Sequence, residues 1–99
     1  MPMHAVVNKL TLAKPVDDAL RDKVRAFFAS FATLPEVVDA QLVVVSDTEA
    51  VLLVHFTTRE ALDRISKEVA APWFAEHVRP YLGGPAQRVV GEVVAQIRA

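Results

Sequence analysis

The chain has 99 residues, 53% of them hydrophobic, with a formal net charge of −1 and no cysteine. This length fits one domain over residues 1–99. The near-neutral charge gives no electrostatic case for binding nucleic acid or acidic lipid. The missing cysteines exclude disulfides, thiolate metal sites and cysteine nucleophiles. No apolar run approaches the ~20 residues that span a bilayer, and no signal peptide is visible. We therefore expect a cytoplasmic protein that makes no membrane contact.

The first half of the chain predicts a strand followed by an amphipathic helix. Residues 5–12 are rich in β-forming side chains, and the strand should stop at Lys14-Pro15. Pro15 suits a first helical position, and Asp17 and Asp18 suit a helix N-terminus. Apolar residues then recur at helical spacing, at Val16, Leu20, Val24, Phe27, Phe28 and Phe31. The helix should end before Leu34-Pro35, because a residue that precedes proline avoids the helical region.

The second half predicts a hairpin, a helical region and a last strand. Residues 37–45 and 51–56 read as antiparallel strands joined by a short polar turn. Thr57 and Glu60 have the spacing of a capping box, with Thr57 as the N-cap of a second helix. Pro72 should interrupt that helix and begin a separate helical piece. The last strand is predicted over residues 88–97.

The order β-α-β-β-α-β predicts an α+β, ferredoxin-like sandwich, with a four-stranded antiparallel sheet and helices on one face. Alternation along each strand assigns the side chains to two faces. The face under the helices should hold Val6, Asn8, Leu10, Leu12, Val38, Ala40, Leu42, Val44, Leu52, Val54, Phe56, Val89, Gly91, Val93, Ala95 and Ile97. The other face should hold Val7, Lys9, Thr11, Val37, Asp39, Gln41, Val43, Val45, Val51, Leu53, His55, Val90, Glu92 and Val94.

The second face is unusually apolar for a surface exposed to water. An antiparallel sheet normally becomes polar on its solvent side, whereas this face carries many valines. Exposed apolar patches of this kind usually mark an interface. We therefore expect a homodimer that pairs through the second sheet face. A monomer with an apolar sheet surface is the alternative.

The sequence resembles a known family at two places. These are the strand-to-helix run His55-Phe56-Thr57-Thr58-Arg59-Glu60-Ala61-Leu62 and the later Ala71-Pro72-Trp73-Phe74. Both are similar to the dimeric α/β-barrel superfamily, in its antibiotic-biosynthesis monooxygenase-like branch. The resemblance covers about residues 4–96. It implies a barrel formed by two sheets packed back to back, with a ligand cavity between the helices and the sheet of each subunit.

The resemblance also implies a class of chemistry. The family includes cofactor-independent monooxygenases of quinol- or anthrone-like aromatic substrates, so we expect a small apolar or aromatic ligand and no cofactor. One alternative is a non-catalytic binding or accessory module with the same fold. A haem-degrading enzyme is another, since residues 8–12 resemble the first strand of that branch and His77 falls near its haem ligand. Phe56 stands where a tryptophan is common at the end of the third strand, and Ile65 stands where the haem branch has its pocket tryptophan, which argues against haem degradation.

Asn8 is the most informative candidate residue, because it is a polar side chain on the strand face that points toward the helices and is otherwise apolar. It could orient a substrate oxygen or stabilise a developing oxyanion. The alternative is an amide satisfied by nearby backbone or by a buried water.

His77 is the second catalytic candidate, since a neutral imidazole can transfer a proton. Trp73, His77 and Tyr81 lie four residues apart and would share one helical face. Trp73 and Tyr81 are therefore candidates for substrate binding, together with Phe56 and Phe74. The alternative is that the aromatic residues only pack and that His77 is solvated. No His, Asp or Glu set has metal-ligand spacing, so no metal is expected.

Overall fold

A computed structural model describes residues 3–97 of the chain. Its strands are β1 (His4–Thr11), β2 (Val37–Ser46), β3 (Glu49–Phe56) and β4 (Gln87–Glu92). Its α-helices are α1 (Asp18–Ser30), α2 (Arg59–Ile65) and α3 (Ala71–His77). A π-helical segment (Ser66–Ala70) joins α2 to α3, and 3₁₀ turns occupy Phe31–Thr33 and Arg79–Tyr81.

The four strands form one antiparallel sheet in the spatial order β2-β3-β1-β4. Strands β2 and β3 are a hairpin, while β1 and β4 come together from opposite ends of the chain. The element order and this strand order confirm the predicted ferredoxin-like fold. Among residues 3–97, no helix is both long and apolar enough to cross a membrane.

Helix α1 ends before Leu34-Pro35 as predicted, but it begins at Asp18, so the prediction of Pro15 as the first helical residue was wrong. Asp17 is its N-cap, and the Asp17 carboxylate accepts a hydrogen bond of 2.9 Å from the Leu20 N–H. That bond satisfies one of the donors that a helix start leaves unpaired. The helix tightens into a 3₁₀ turn at Phe31–Thr33 and stops at Leu34, whose backbone is extended ahead of Pro35.

The second helical region starts one residue later than the predicted capping box. Thr58 is the N-cap, and its hydroxyl accepts a hydrogen bond of 3.0 Å from the Ala61 N–H. The prediction of Thr57 as N-cap was therefore wrong. Thr57 directly follows β3, and its N–H donates a hydrogen bond of 2.9 Å to the Glu36 carbonyl.

A separate α-helix begins next to Pro72, as predicted, but the prediction that Pro72 interrupts the second helical region was wrong. The backbone widens into the π-helical segment, where the Ala71 N–H donates to the Ser66 carbonyl. Pro72 then occupies the first turn of α3, where a missing N–H is tolerated. One continuous helical path therefore runs from Arg59 to His77.

The helices cover one face of the sheet, and the protein's core lies there. This covered face carries the buried strand residues Val6, Leu10, Ala50, Val54 and Phe56. They pack in two adjoining clusters against buried helical residues, chiefly Leu20 and Val24 of α1 and Ala61, Leu62 and Ile65 of α2. Burial of such side chains contributes about 1.5–3 kcal/mol each, so this layer dominates folding stability.

The opposite face carries Val7, Val43, Val51, Leu53 and Val89 and is called the open face. Their common side follows from the register, because directly paired residues in an antiparallel sheet point the same way. Val7 pairs with both Leu53 and Val89, and Val51 pairs with Val43. Val43 is 45% exposed and Val89 is 61% exposed.

Two face assignments made from the sequence were wrong. Val90 pairs with Val6 and packs in the covered core, so the β4 residues lie on the opposite faces to those predicted. Val37 pairs with Phe56 on the covered side, because a bulge between Val37 and Asp39 shifts the register. The last strand also ends at Glu92, short of the predicted residue 97.

Candidate functional site

A cavity of about 320 Å³ lies between the covered face and the helices. Small-molecule sites in proteins occupy roughly 300–1,000 Å³ and are mostly apolar, so this volume suits a compact ligand. The sheet contributes Val6, Asn8, Leu10, Leu12, Leu42, Leu52, Val54, Phe56 and Arg88 to the lining. The helices and connections contribute Val16, Leu20, Val24, Phe27, Phe28, Phe31, Ile65, Ser66, Ala70, Ala71, Trp73, Phe74, Val78, Arg79 and Ala86.

Asn8 places an amide in this apolar lining, at the middle of β1. Its neighbours on the same face are the buried Val6 and Leu10. Among residues 3–97, the Asn8 side chain forms no hydrogen bond. A polar group near a cavity without a protein partner is costly, so the amide is available to a ligand oxygen.

Trp73, Phe74 and Phe56 all line the cavity, so three of the four residues proposed for substrate binding meet at one site. The Trp73 ring stacks on Phe27, with ring centroids 4.2 Å apart and planes 5° from parallel. Offset stacking of this kind holds an aromatic wall in place. Flat side chains therefore line the side of the cavity formed by α1 and α3.

His77 is not part of the cavity lining. Its ring contacts the Trp73 ring at a centroid distance of 4.9 Å, and its Nε2 lies 3.7 Å from the Glu76 carboxylate. Trp73 therefore lines the cavity while His77, one turn further along α3, does not.

Tyr81 also lies outside the cavity lining and has a structural contact instead. Its hydroxyl donates to the Asp17 carboxylate at 2.8 and 2.9 Å, and Lys14 Nζ lies 4.4 Å from its ring centroid. The Leu20 N–H and the Tyr81 hydroxyl lower the pKa of Asp17, and the same Asp17 contact raises the pKa of Tyr81. Tyr81 lies in a 3₁₀ turn beyond α3, so the predicted three-residue face stops at His77.

The cavity lining also includes two arginines that were not among the predicted site residues, Arg79 and Arg88. Arg88 pairs with Asn8 across β1 and β4, so the guanidinium and the amide project from the same face. The sequence could have indicated Arg88, because assigning the alternate β4 residues to the correct faces places it beside Asn8. The reversed parity assignment of β4 concealed it.

The polar lining groups are those of Asn8, Ser66, Arg79 and Arg88. They can donate hydrogen bonds and stabilise negative charge, but none of them is a base at neutral pH. Among residues 3–97, no group of three or more His, Asp or Glu side chains could hold a metal ion. The site can therefore bind and orient an oxygen-bearing aromatic molecule with the chain's own donors.

No family model matches the sequence, and no curated protein matches it. Solved structures do match its fold. A variant of SnoaB, a cofactor-independent oxygenase from Streptomyces nogalater, superposes with a TM-score of 0.77 at 16% identity, covering 100% of both chains. An antibiotic biosynthesis monooxygenase has a TM-score of 0.74 at 15% identity, over 93% of this chain and 99% of the other.

A third match carries no stated activity. A conserved protein from Methanosarcina mazei Go1 has a TM-score of 0.73 at 11% identity, covering 92% of each chain. At such identities the likeness speaks for the fold alone. At that level, the matches confirm the resemblance to antibiotic biosynthesis monooxygenase-like proteins that the sequence suggested.

Proposed function

We propose that this chain is a small-molecule-binding member of the antibiotic biosynthesis monooxygenase-like branch, and that it oxidises a quinol- or anthrone-like aromatic substrate without a cofactor. The observation that carries the proposal is the aromatic-walled cavity with one unpaired amide, Asn8. Structural neighbours that include a cofactor-independent oxygenase support it. An apolar cavity with few polar groups is the usual form of a ligand site.

The proposed reaction needs little from the protein, because the substrate is the reductant. In an anthrone, the reacting methylene carbon loses two hydrogens and gains one oxygen atom from O₂. The second oxygen atom leaves with those hydrogens as water, so four electrons pass from carbon to O₂ and no other reductant is required. Asn8 would donate a hydrogen bond to the substrate oxygen and stabilise the negative charge that develops there. Trp73 and Phe74 would hold the ring and exclude water.

A second candidate function is a binding module without turnover. The observation that favours it is the absence of a neutral-pH base among the cavity-lining residues, since His77 lies outside them. An oxygenase with this lining would depend on a substrate that ionises readily. A binding module would need only the cavity.

We further propose that the protein acts as a cytoplasmic homodimer that pairs through the open face. The support is the group of half-buried or exposed valines and leucine there, which a second copy could cover. His55 and Asp39 lie at one end of the same face, with His55 Nδ1 3.9 Å from the Asp39 carboxylate. That nitrogen is buried within its own chain and has no hydrogen-bond partner among residues 3–97.

Oxygen uptake with anthrone as the probe tests the enzymatic proposal. The wild-type protein should consume one O₂ for each anthraquinone formed, and Asn8→Leu should lower the rate roughly 100–1,000-fold, the range seen for loss of one oxyanion donor. Gln87→Leu is the matched control, because it makes the same amide-to-leucine change on the side of β4 that faces away from the cavity. That variant should retain the wild-type rate.

The outcomes separate the two candidate functions. Saturable anthrone binding with no oxygen uptake would refute the oxygenase and support the binding module. A rate unchanged in Asn8→Leu but lost in His77→Ala would assign the catalytic role to the histidine instead. Absence of binding by every aromatic probe would refute both functions.

A further inference from the structure

Arg79 and Arg88 place two positive charges in the solvent-exposed part of the cavity lining. Both side chains are exposed and yet belong to the cavity lining, so they lie where the cavity meets solvent. Arg79 follows α3 and Arg88 lies near the start of β4, with the cavity-lining Ala86 between them in sequence. Arg79 and Ala86 also line a shallow groove outside the cavity, which places this region at the surface.

The two charges are not neutralised by the protein. Among residues 3–97, neither guanidinium forms a hydrogen bond or an ion pair, whereas Arg25, Arg59 and Arg64 each pair with a carboxylate. No Asp or Glu belongs to the cavity lining. A partly enclosed site with charge of one sign strengthens the local potential and attracts a ligand of the opposite sign.

We propose that the cavity's ligand is an aromatic acid, whose ring system lies between the covered face and Trp73 and whose carboxylate binds Arg79 and Arg88 where the cavity meets solvent. This inference rests on the proposed function and narrows its substrate class. Guanidinium groups bind carboxylates through paired, charge-assisted hydrogen bonds. A carboxylate there would also fix the ring's orientation relative to Asn8, which is the sheet partner of Arg88.

The test compares naphthoate with naphthamide, which has the same ring and a neutral head group. Calorimetry measures the binding of each compound to the 99-residue chain. Wild-type protein should bind naphthoate at least about tenfold more tightly than naphthamide. Arg79→Gln and Arg88→Gln should each reduce that preference, and the double variant should abolish it. High salt should weaken only naphthoate binding.

Arg21→Gln is the matched control, since it removes one positive charge from the exposed side of α1, outside the lining. It should keep the full preference for naphthoate. Unchanged naphthamide affinity in the arginine variants shows that their cavity is intact. Equal affinity of wild-type protein for the two probes would overturn this inference while leaving the proposed function standing. Failure of both probes to bind would overturn both.

Discussion

The two faces of the sheet are made from similar residues but have different surroundings. The covered face is sealed by α1, α2 and α3 and holds the cavity, while the open face presents its valines and Leu53 to solvent within one chain. Both faces therefore carry many apolar side chains, although the open face also holds Lys9, Asp39 and Gln41. What distinguishes them is that the helices of residues 3–97 cover only one face, and that this face holds the Asn8 amide among buried apolar side chains.

With the proposed dimer, the comparison gives two separate sources of stability. Burial under the helices is an intrachain effect and should not depend on protein concentration. Burial of the open face requires a second molecule and should follow mass action. A substitution on one face, or in the layer that covers it, should therefore leave the other face unchanged.

The largest effect is expected at Leu62, whose side chain is completely buried between α2 and the covered face. Leu62→Ala should lower the free energy of unfolding by about 2–5 kcal/mol, because it leaves a cavity in the core. Urea denaturation at several protein concentrations measures this change. The loss should be the same at each concentration, and a loss that disappears on dilution would place Leu62 in an interface.

A charge on the open face should act on assembly instead. Leu53→Lys should weaken self-association at least about 100-fold, or ~2.7 kcal/mol, because an unpaired ammonium would be buried between two sheets. Sedimentation equilibrium measures the change. The helical content of the resulting monomer should remain that of wild-type protein, since the core lies on the other face.

Ala19→Lys is the control for the open-face variant, because it adds the same charge on the exposed surface of α1. Its assembly should match that of wild-type protein. If Leu53→Lys assembles as well as Ala19→Lys does, the open face is not the interface.

A smaller effect is expected where the covering layer begins, at the N-cap of α2. Thr58→Ala should lower the free energy of unfolding by about 1 kcal/mol, since the Ala61 N–H loses its hydrogen-bond acceptor. Thr57→Ala, one residue earlier, should change it by less than about 0.5 kcal/mol. Equal losses in both variants would contradict the assignment of Thr58 as the cap.

The smallest effect is a pH dependence at the N-cap of α1. The pKa of Asp17 lies below its usual value of 3.8, because the Leu20 N–H and the Tyr81 hydroxyl donate to its ionised form. Its stabilising contribution is therefore present above that usual value and lost as the pH falls through the lowered pKa. Asn cannot titrate, so wild-type protein should be more stable than Asp17→Asn near neutral pH, and thermal denaturation should show the difference vanishing in acid. A constant difference would exclude this linkage.

Periodicity was enough to predict the fold and most of one face. Residues of β1 and β3 alternate regularly, so the sequence placed Asn8, Val54 and Phe56 on the covered face, where the structure has them. The β4 strand was not predictable in this way. Val89 and Val90 are adjacent and both apolar, so the sequence pattern does not show which of them faces the helices. The pairing of Val90 with Val6 places Val90 on the covered face.

The site was predicted only in part, for the same kind of reason. Asn8 was visible as a polar residue within an apolar set, and Trp73 as an aromatic residue on a helical face. Arg88 was missed because the parity of β4 was reversed. The bulge at Val37 and the π-helical segment before Pro72 depend on tertiary packing and have no local signature in the sequence. The predicted face of Trp73, His77 and Tyr81 required a helix that continues to Tyr81, whereas α3 ends at His77.

The central claim, that the covered face holds a ligand site, can be tested with the chain's single tryptophan. Trp73 lines the cavity, so its fluorescence should report occupancy directly. Titration with naphthamide should quench it saturably in wild-type protein and in Leu53→Lys, but far more weakly in Ala70→Phe, whose ring would take up part of the cavity. Quenching that is equally saturable in Ala70→Phe, or that never saturates in wild-type protein, would contradict the account.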